Sequence, residues 1–182
     1  GARMIAPEIP SMTEDSPFTC ALDVRASLGE CPLWAADERA LYWIDINAPT
    51  LNRFDPATGE NRVMPMPASI GSFALRERGG FVVALRNGVW LASTKGQLER
   101  SVAEPPYETS HHRFNDGRCD PQGRFVVGSM NEVEERELLE RVGADQCFVS
   151  CWSKRAGIGV VVVKLRAMAI RAGTRDDRLH GG

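Results

Sequence analysis

The segment GECPLWAADERALYWIDINAPTLNRFDPATGE, residues 29–60, holds a short apolar run, a polar turn (AADERA), a run of β-formers (LYWIDI), another short run (LNRFD) and a glycine turn (ATGE). Short β-branched and aromatic runs bounded by Asp-Pro and Gly-containing turns predict hairpins, not helices. The same grammar returns twice. GSFALRERGGFVVALRNGVWLASTKGQLE at 71–99 has the turn RERGG, the run FVVAL and the closing turn TKGQ. NDGRCDPQGRFVVGSMNE at 115–132 has the turn PQGR and the run FVVGSM. The long runs begin at Leu41, Phe81 and Phe125, spaced 40 and 44 residues apart. A period of about 40–45 residues with about four short strands per unit is that of β-propeller blades. An antiparallel sandwich with evenly spaced turns is the alternative; the repetition of turn chemistry as well as spacing favours the propeller.

The repeat gives particular residues a shared phase. Glu30 lies 11 residues before Leu41, and Asn115 lies 10 before Phe125. Both fall at the start of a blade's first strand, the strand that lines a propeller's central channel. Ile70-Gly71-Ser72 holds that phase in the middle repeat, without charge. A carboxylate and an amide oxygen converging on one channel mouth are hard donors that suit Ca²⁺, Mg²⁺ or Mn²⁺ and also hold Zn²⁺. Arg113, two residues upstream of Asn115, is placed to hold a carbonyl or hydroxyl of a ligand.

Composition narrows the function classes. The chain has 182 residues, 43% hydrophobic and 25% charged, with net charge -2. That is a globular composition with no bias toward nucleic acid or an anionic membrane. No run reaches the roughly 18 apolar residues of a membrane span, and the acidic, discontinuous N-terminus predicts no signal peptide. The five cysteines, Cys20, Cys31, Cys119, Cys147 and Cys151, are odd in number and have no C-x-x-C spacing. They read as free thiols in a reducing cytoplasm. His111 and His112 precede a strand and are expected to face solvent. Trp34, Tyr42, Trp43 and Trp90 are expected to pack between blades, and Asp55-Pro56 and Asp120-Pro121 to form hairpin turns.

LGECPLW at 28–34, ALYWIDI at 40–46, RFDPATGE at 53–60, IGSFALR at 70–76, GFVVAL at 80–85 and RFNDGRCDPQGRFVVGSM at 113–130 resemble the senescence marker protein / gluconolactonase / luciferin-regenerating enzyme (regucalcin-like) family. The resemblance covers about residues 20–132 and implies a six-bladed propeller with one divalent metal at the channel mouth, Ca²⁺ foremost. It implies hydrolysis of a sugar lactone or related ester, with a small-molecule lactone as the partner. By motif, Glu30 is the implied metal ligand. Arg113 and Asn115 contact the substrate, Asp116 orients them, and Glu132 is the nearest match to an acidic residue that faces it. Cys31 stands where the family commonly has glycine.

The family's other ligands come from later S-N-G and P-D-G motifs, the second also supplying the expected general base. Residues 133–182 contain neither. The expected architecture is therefore all-β: a partial six-bladed propeller of about two and a half to three blades over residues 18–150, followed by a divergent tail, 151–182. Net charge changes from -7 over residues 1–150 to +5 over 151–182. Two readings of the tail stand: out-of-frame sequence replacing the remaining blades, or a genuine segment in which VVVVKLRAMAI forms a strand or short helix. The sequence-level expectation is impaired lactonase activity, with open blade edges inviting self-association. A non-enzymatic calcium-binding or self-assembling propeller fragment is the alternative.

Overall fold

The computed structural model describes residues 19–132 and the backbone of residues 160–163. The regular elements are all strands: β1 (Gly29–Ala35), β2 (Ala40–Asp45), β3 (Thr50–Asp55), β4 (Glu60–Pro65), β5 (Ile70–Leu75), β6 (Phe81–Leu85), β7 (Gly88–Ala92), β8 (Leu98–Ala103), β9 (His112–Cys119), β10 (Phe125–Asn131) and β11 (Val160–Val163). They form three antiparallel sheets ordered β1-β2-β3-β4, β5-β6-β7-β8 and β9-β10-β11. Each is a blade-like meander, as the repeat predicts. Strand β11 lies within the segment assigned to the divergent tail and pairs with β10, Phe125 opposite Val163.

Turn chemistry sets the hairpins. Asp55 Oδ1 accepts from the amide of Ala57, and Asp120 Oδ1 accepts from the amides of Gln122 and Arg124. Both Asp-Pro pairs thus form Asx-type turns, as expected.

The middle sheet is buried on both faces, which explains its composition. All five residues of β6, FVVAL, are buried. Phe81, Val83 and Leu85 join Tyr42, Ile44, Leu51, Met64, Ile70 and Phe73 in a core between the first and second sheets. Val82 and Ala84 point the other way and join Val89, Leu91, Phe114, Phe125 and Val127 between the second and third. By contrast β2, ALYWID, buries Tyr42 and Ile44 toward that first core and leaves Leu41 and Trp43 partly exposed. Alternation thus survives in the outer sheet and disappears in the middle one. Edge-to-face contacts order the first core, with Tyr42 and Phe81 centroids at 5.6 Å and Phe73 and Phe81 at 6.4 Å.

The aromatic expectations hold only in part. Tyr42 packs between sheets and Trp90 packs against that core, but Trp34 is 52% exposed. It lies on the opposite face of β1 from Cys31, Leu33 and Ala35 and has no sheet over it among the described residues.

The three inner strands share one irregularity. In β1 the register shifts between Glu30 and Leu33, in β5 between Ile70 and Ser72, and opposite β9 between Val127 and Ser129. Each is a one-residue bulge at the same phase. A bulge reverses which side chains face inward, so Ile70 and Phe73 share a face despite their odd spacing. At the middle bulge the backbones nearly touch. A Cβ on Gly71 would stand 2.2 Å from the carbonyl oxygen of Phe114 and 2.9 Å from the amide nitrogen of Asn115. Neither backbone atom yields cheaply. Gly71→Ala is expected to lower stability by about 2–3 kcal/mol, read as a fall in the urea unfolding midpoint. An unchanged midpoint would contradict this packing.

Candidate functional site

The bulges bring one end of the inner strands together. Cys31 follows Glu30 with φ of 52°, the left-handed region that favours glycine. That backbone requirement fits the glycine expected at this position. The Cys31 thiol approaches the carbonyl oxygen of Gly71 at 3.6 Å and Oδ1 of Asp116 at 3.4 Å. A residue from each sheet therefore meets at one point, although Cys31 and Asp116 are 85 residues apart. Glu30 and Asn115 flank this contact, and both are exposed. The thiol is no nucleophile at neutral pH. Burial foremost, then the charge and hydrogen bond of Asp116, push its pKa up to about 12.

Asn115 and Asp116 are the two residues of the β9 bulge, opposite the single residue Gly128. Asp116 Oδ1 also accepts from the amide of Gly117 at 2.8 Å and from Arg118 Nη1 at 3.3 Å. Its carboxylate is thus held by its own strand and by Cys31 of β1.

Arg113 is 6% exposed. Its Nη1 donates to Asn115 Oδ1 at 3.0 Å and to the carbonyl of Phe114 at 3.1 Å. Its Nε donates to Glu132 Oε1 at 3.2 Å. Glu132 is held more tightly by Arg86, whose Nη1 and Nη2 reach its two carboxylate oxygens at 2.8 Å each. The hydrogen bonds from Arg86, opposed by partial burial and aided by the charges of Arg86 and Arg113, hold the Glu132 carboxyl below the usual glutamate range. Arg113, Asn115 and Glu132 form one network, with Asp116 beside Asn115. Glu30 stands apart from it, on the first sheet.

Two organising residues carry no signal as ligands in the sequence. Arg86 belongs to the tight β6–β7 turn, and its partner Glu132 is 46 residues away. Asp45 is buried and accepts from the amides of Ser27, Leu28, Asn47 and Ala48. Burial opposes its ionisation, but the four amides prevail and hold its pKa below the ordinary value. It thereby fixes the chain just before Glu30. An aspartate ending an apolar strand before Asn-Ala-Pro was a readable turn signal.

The histidines divide. His111 is exposed, as expected, but His112 is the first residue of β9, half-buried and stacked on Tyr107 at 5.8 Å. Ring stacking turns it inward. Among the described residues no group of three or more His, Cys, Asp or Glu side chains is placed to hold a metal. Among them, too, no helix is long and apolar enough to cross a membrane.

The Glu132 carboxylate makes acid sensitivity predictable. Its folded pKa is depressed, so its contribution to stability is fully present above the unfolded value and is lost as pH falls through the folded one. Glu132→Gln is expected to cost about 1–3 kcal/mol at neutral pH. Its deficit relative to wild type should shrink on acidification below the ordinary glutamate range. Urea midpoints of both proteins from pH 7 downward check this; a pH-independent deficit would contradict it.

Comparisons with known proteins bear on the family and the fold. Residues 28–152 match the family model described as SMP-30/Gluconolactonase/LRE-like region. The chain is 46% identical over 128 residues to 6-deoxy-6-sulfogluconolactonase of Pseudomonas putida, covering 69% of this chain and 44% of that protein. It is 34% identical over 122 residues to regucalcin of Xenopus laevis, covering 67% and 41%. A solved structure of the calcium-binding protein regucalcin from Agrobacterium tumefaciens str. C58 superposes with a TM-score of 0.58 at 25% identity, over 62% of this chain and 38% of that one. The chain spans less than half the length of the relatives it matches. With three blade-like sheets, the ordered motifs and a family match over most of its length, the chain belongs to the SMP-30/gluconolactonase/LRE-like family.

Proposed function

We propose that this chain carries the substrate-orienting end of a sugar-lactone hydrolase site, together with one metal ligand. The observation that carries the reading is the meeting of Cys31, Gly71 and Asp116. It sets Glu30 and Asn115 at the same end of the inner strands, with Arg113 two residues from Asn115. A relative named as a sulfogluconolactonase, at 46% identity, supports the choice of substrate class.

Lactone hydrolysis adds water to the acyl carbon, breaks the ring C–O bond and moves a proton to the ring oxygen. In this reading Arg113 and Asn115 orient the lactone's carbonyl and hydroxyls and hold charge that develops on oxygen. Asp116 keeps the bulge in shape beneath them. Glu30, an exposed hard-oxygen donor at the mouth, suits Ca²⁺ best, and Mg²⁺, Mn²⁺ or Zn²⁺ as alternatives. A divalent cation there supplies polarisation of the acyl carbonyl. Glu30 is a single ligand, and among the described residues no group of three or more acidic, His or Cys side chains is placed to hold a metal, so no step is assigned through the metal. No general base is assigned among the described residues.

The test is calorimetric titration of the full chain with D-gluconate, with and without calcium. Arg113→Ala is expected to weaken binding roughly 10- to 100-fold, the size of a charge-assisted hydrogen-bond loss. Glu30→Gln is expected to remove the calcium dependence. Equal affinity in all three proteins would overturn the reading. Turnover of glucono-lactone by the full chain is expected near the uncatalysed rate; turnover abolished by Glu30→Ala would place a working site within this chain. Calcium binding without gluconate binding would favour a non-enzymatic calcium-binding role.

A further inference from the structure

We propose that Arg86 is a positioning residue of the binding end: through Glu132 it fixes the guanidinium plane of Arg113, and through Arg113 the side-chain amide of Asn115. The substrate-binding part of this inference rests on the functional reading above; the geometric part stands alone.

Arg86 is well anchored before it reaches the site. Its amide donates to the carbonyl of Ser69 at 2.8 Å, and the Tyr107 hydroxyl donates to its carbonyl at 3.4 Å. Its Nη1 donates to the carbonyls of Thr109 and His112 at 3.2 and 3.3 Å. The same guanidinium forms a two-pronged fork with Glu132, 2.8 Å on each prong. Such a fork fixes the orientation of the carboxylate as well as its position. The backbone of Glu132 is tied as well, its amide donating to the carbonyl of His111 at 2.8 Å.

The oriented carboxylate then presents Oε1 to Arg113 Nε at 3.2 Å. A guanidinium is planar, so a bond at Nε, together with those from Nη1 to Phe114 and Asn115, leaves little rotational freedom. The Asn115 amide is set in turn, its Oδ1 taken by Arg113 and its NH₂ directed elsewhere. The clamp crosses blades: Arg86 comes from the second sheet, and the groups it organises come from the third.

The charge count points to the ligand class. Two guanidiniums share one carboxylate, leaving one positive charge beside Asn115. That arrangement suits an acyl oxygen gaining negative charge, or the carboxylate of a polyhydroxy acid. It also gives Glu132 a different role from a direct substrate contact, since both of its oxygens are engaged by arginines.

The experiment follows Arg113 Nε–H by ¹⁵N-resolved NMR of the full chain, the signal assigned by its absence in Arg113→Lys. Wild type is expected to show a distinct Nε–H signal protected from exchange. Arg86→Ala should abolish that protection while the backbone spectrum stays folded. Arg86→Lys, which keeps the charge but not the fork, should lose part of it, and it carries the test where the alanine variant does not fold. D-gluconate affinity should fall several-fold in Arg86→Ala and show no further fall when Arg86→Ala is added to Arg113→Ala. An unchanged Arg113 signal in Arg86→Ala, or additive affinity losses, would overturn the proposal. If wild type binds no gluconate, the functional reading fails, while the Arg113 signal still decides whether Arg86 positions it.

Discussion

One extra residue in each inner strand governs the organisation of this molecule. The bulges in β1, β5 and β9 sit at the same phase of the repeat, and each reverses the inward-facing set of side chains. Without them, a strand that buries Phe73 and Leu75 would turn Ile70 outward, and Phe114 could not share a core with Gly117's side of β9. With them, the strand bodies pack as apolar sheets while the strand starts turn Glu30, Asn115 and Asp116 to solvent. The Cys31 contacts with Gly71 and Asp116 are the point at which three locally formed meanders become a single surface.

The constraint also explains what the sequence could and could not disclose. Hairpins were legible because Asp-Pro and glycine turns act locally, as Asp55 and Asp120 do. The blade period was legible because each sheet repeats the same local pattern. The bulges were hidden, since an added residue breaks the alternation that periodicity relies on. Their traces were indirect: a proline after Cys31 within a strand, which a bulge tolerates, and Gly71 in an otherwise apolar run. Burial of the middle sheet on both faces was foreshadowed by FVVAL, whereas the exposure of Trp34 depends on what lies over the outer face of β1, which its residue type does not encode.

The site was legible to a different depth in each blade. The shared phase of Glu30 and Asn115 was readable from spacing alone, and the family motifs named Arg113. The pairing of Glu132 was not readable, because its position in the sequence says nothing about Arg86, 46 residues away in a hairpin turn of the preceding blade. Long-range ion pairs have no local signature: an arginine in Leu-Arg-Asn-Gly resembles any solvated turn residue. His112 departs from the solvent-facing expectation for a similar reason, because stacking on Tyr107 overrides the preference of a strand-start residue for solvent.

These placements give the mouth a polarity along its rim. On the first sheet Glu30 offers a lone carboxylate. On the third, Glu132 between Arg113 and, from the second sheet, Arg86 leaves a net positive charge beside the Asn115 amide, with Asp116 tied to its own strand and to Cys31. A ligand that carries a cation on one side and an oxygen accumulating negative charge on the other is complementary to both ends at once. A neutral ligand without such an oxygen would leave the arginine side unrewarded. The nearly neutral overall charge of the chain conceals this separation, because the opposing groups are partners of individual strands rather than of the surface as a whole. Rigidity makes the polarity useful: a guanidinium held at Nε and Nη1 before the ligand arrives has already lost the freedom that binding would otherwise cost. The cross-blade fork of Arg86 thus links propeller packing to the geometry of this end, since displacement of the second sheet relative to the third would reorient the Arg113 guanidinium.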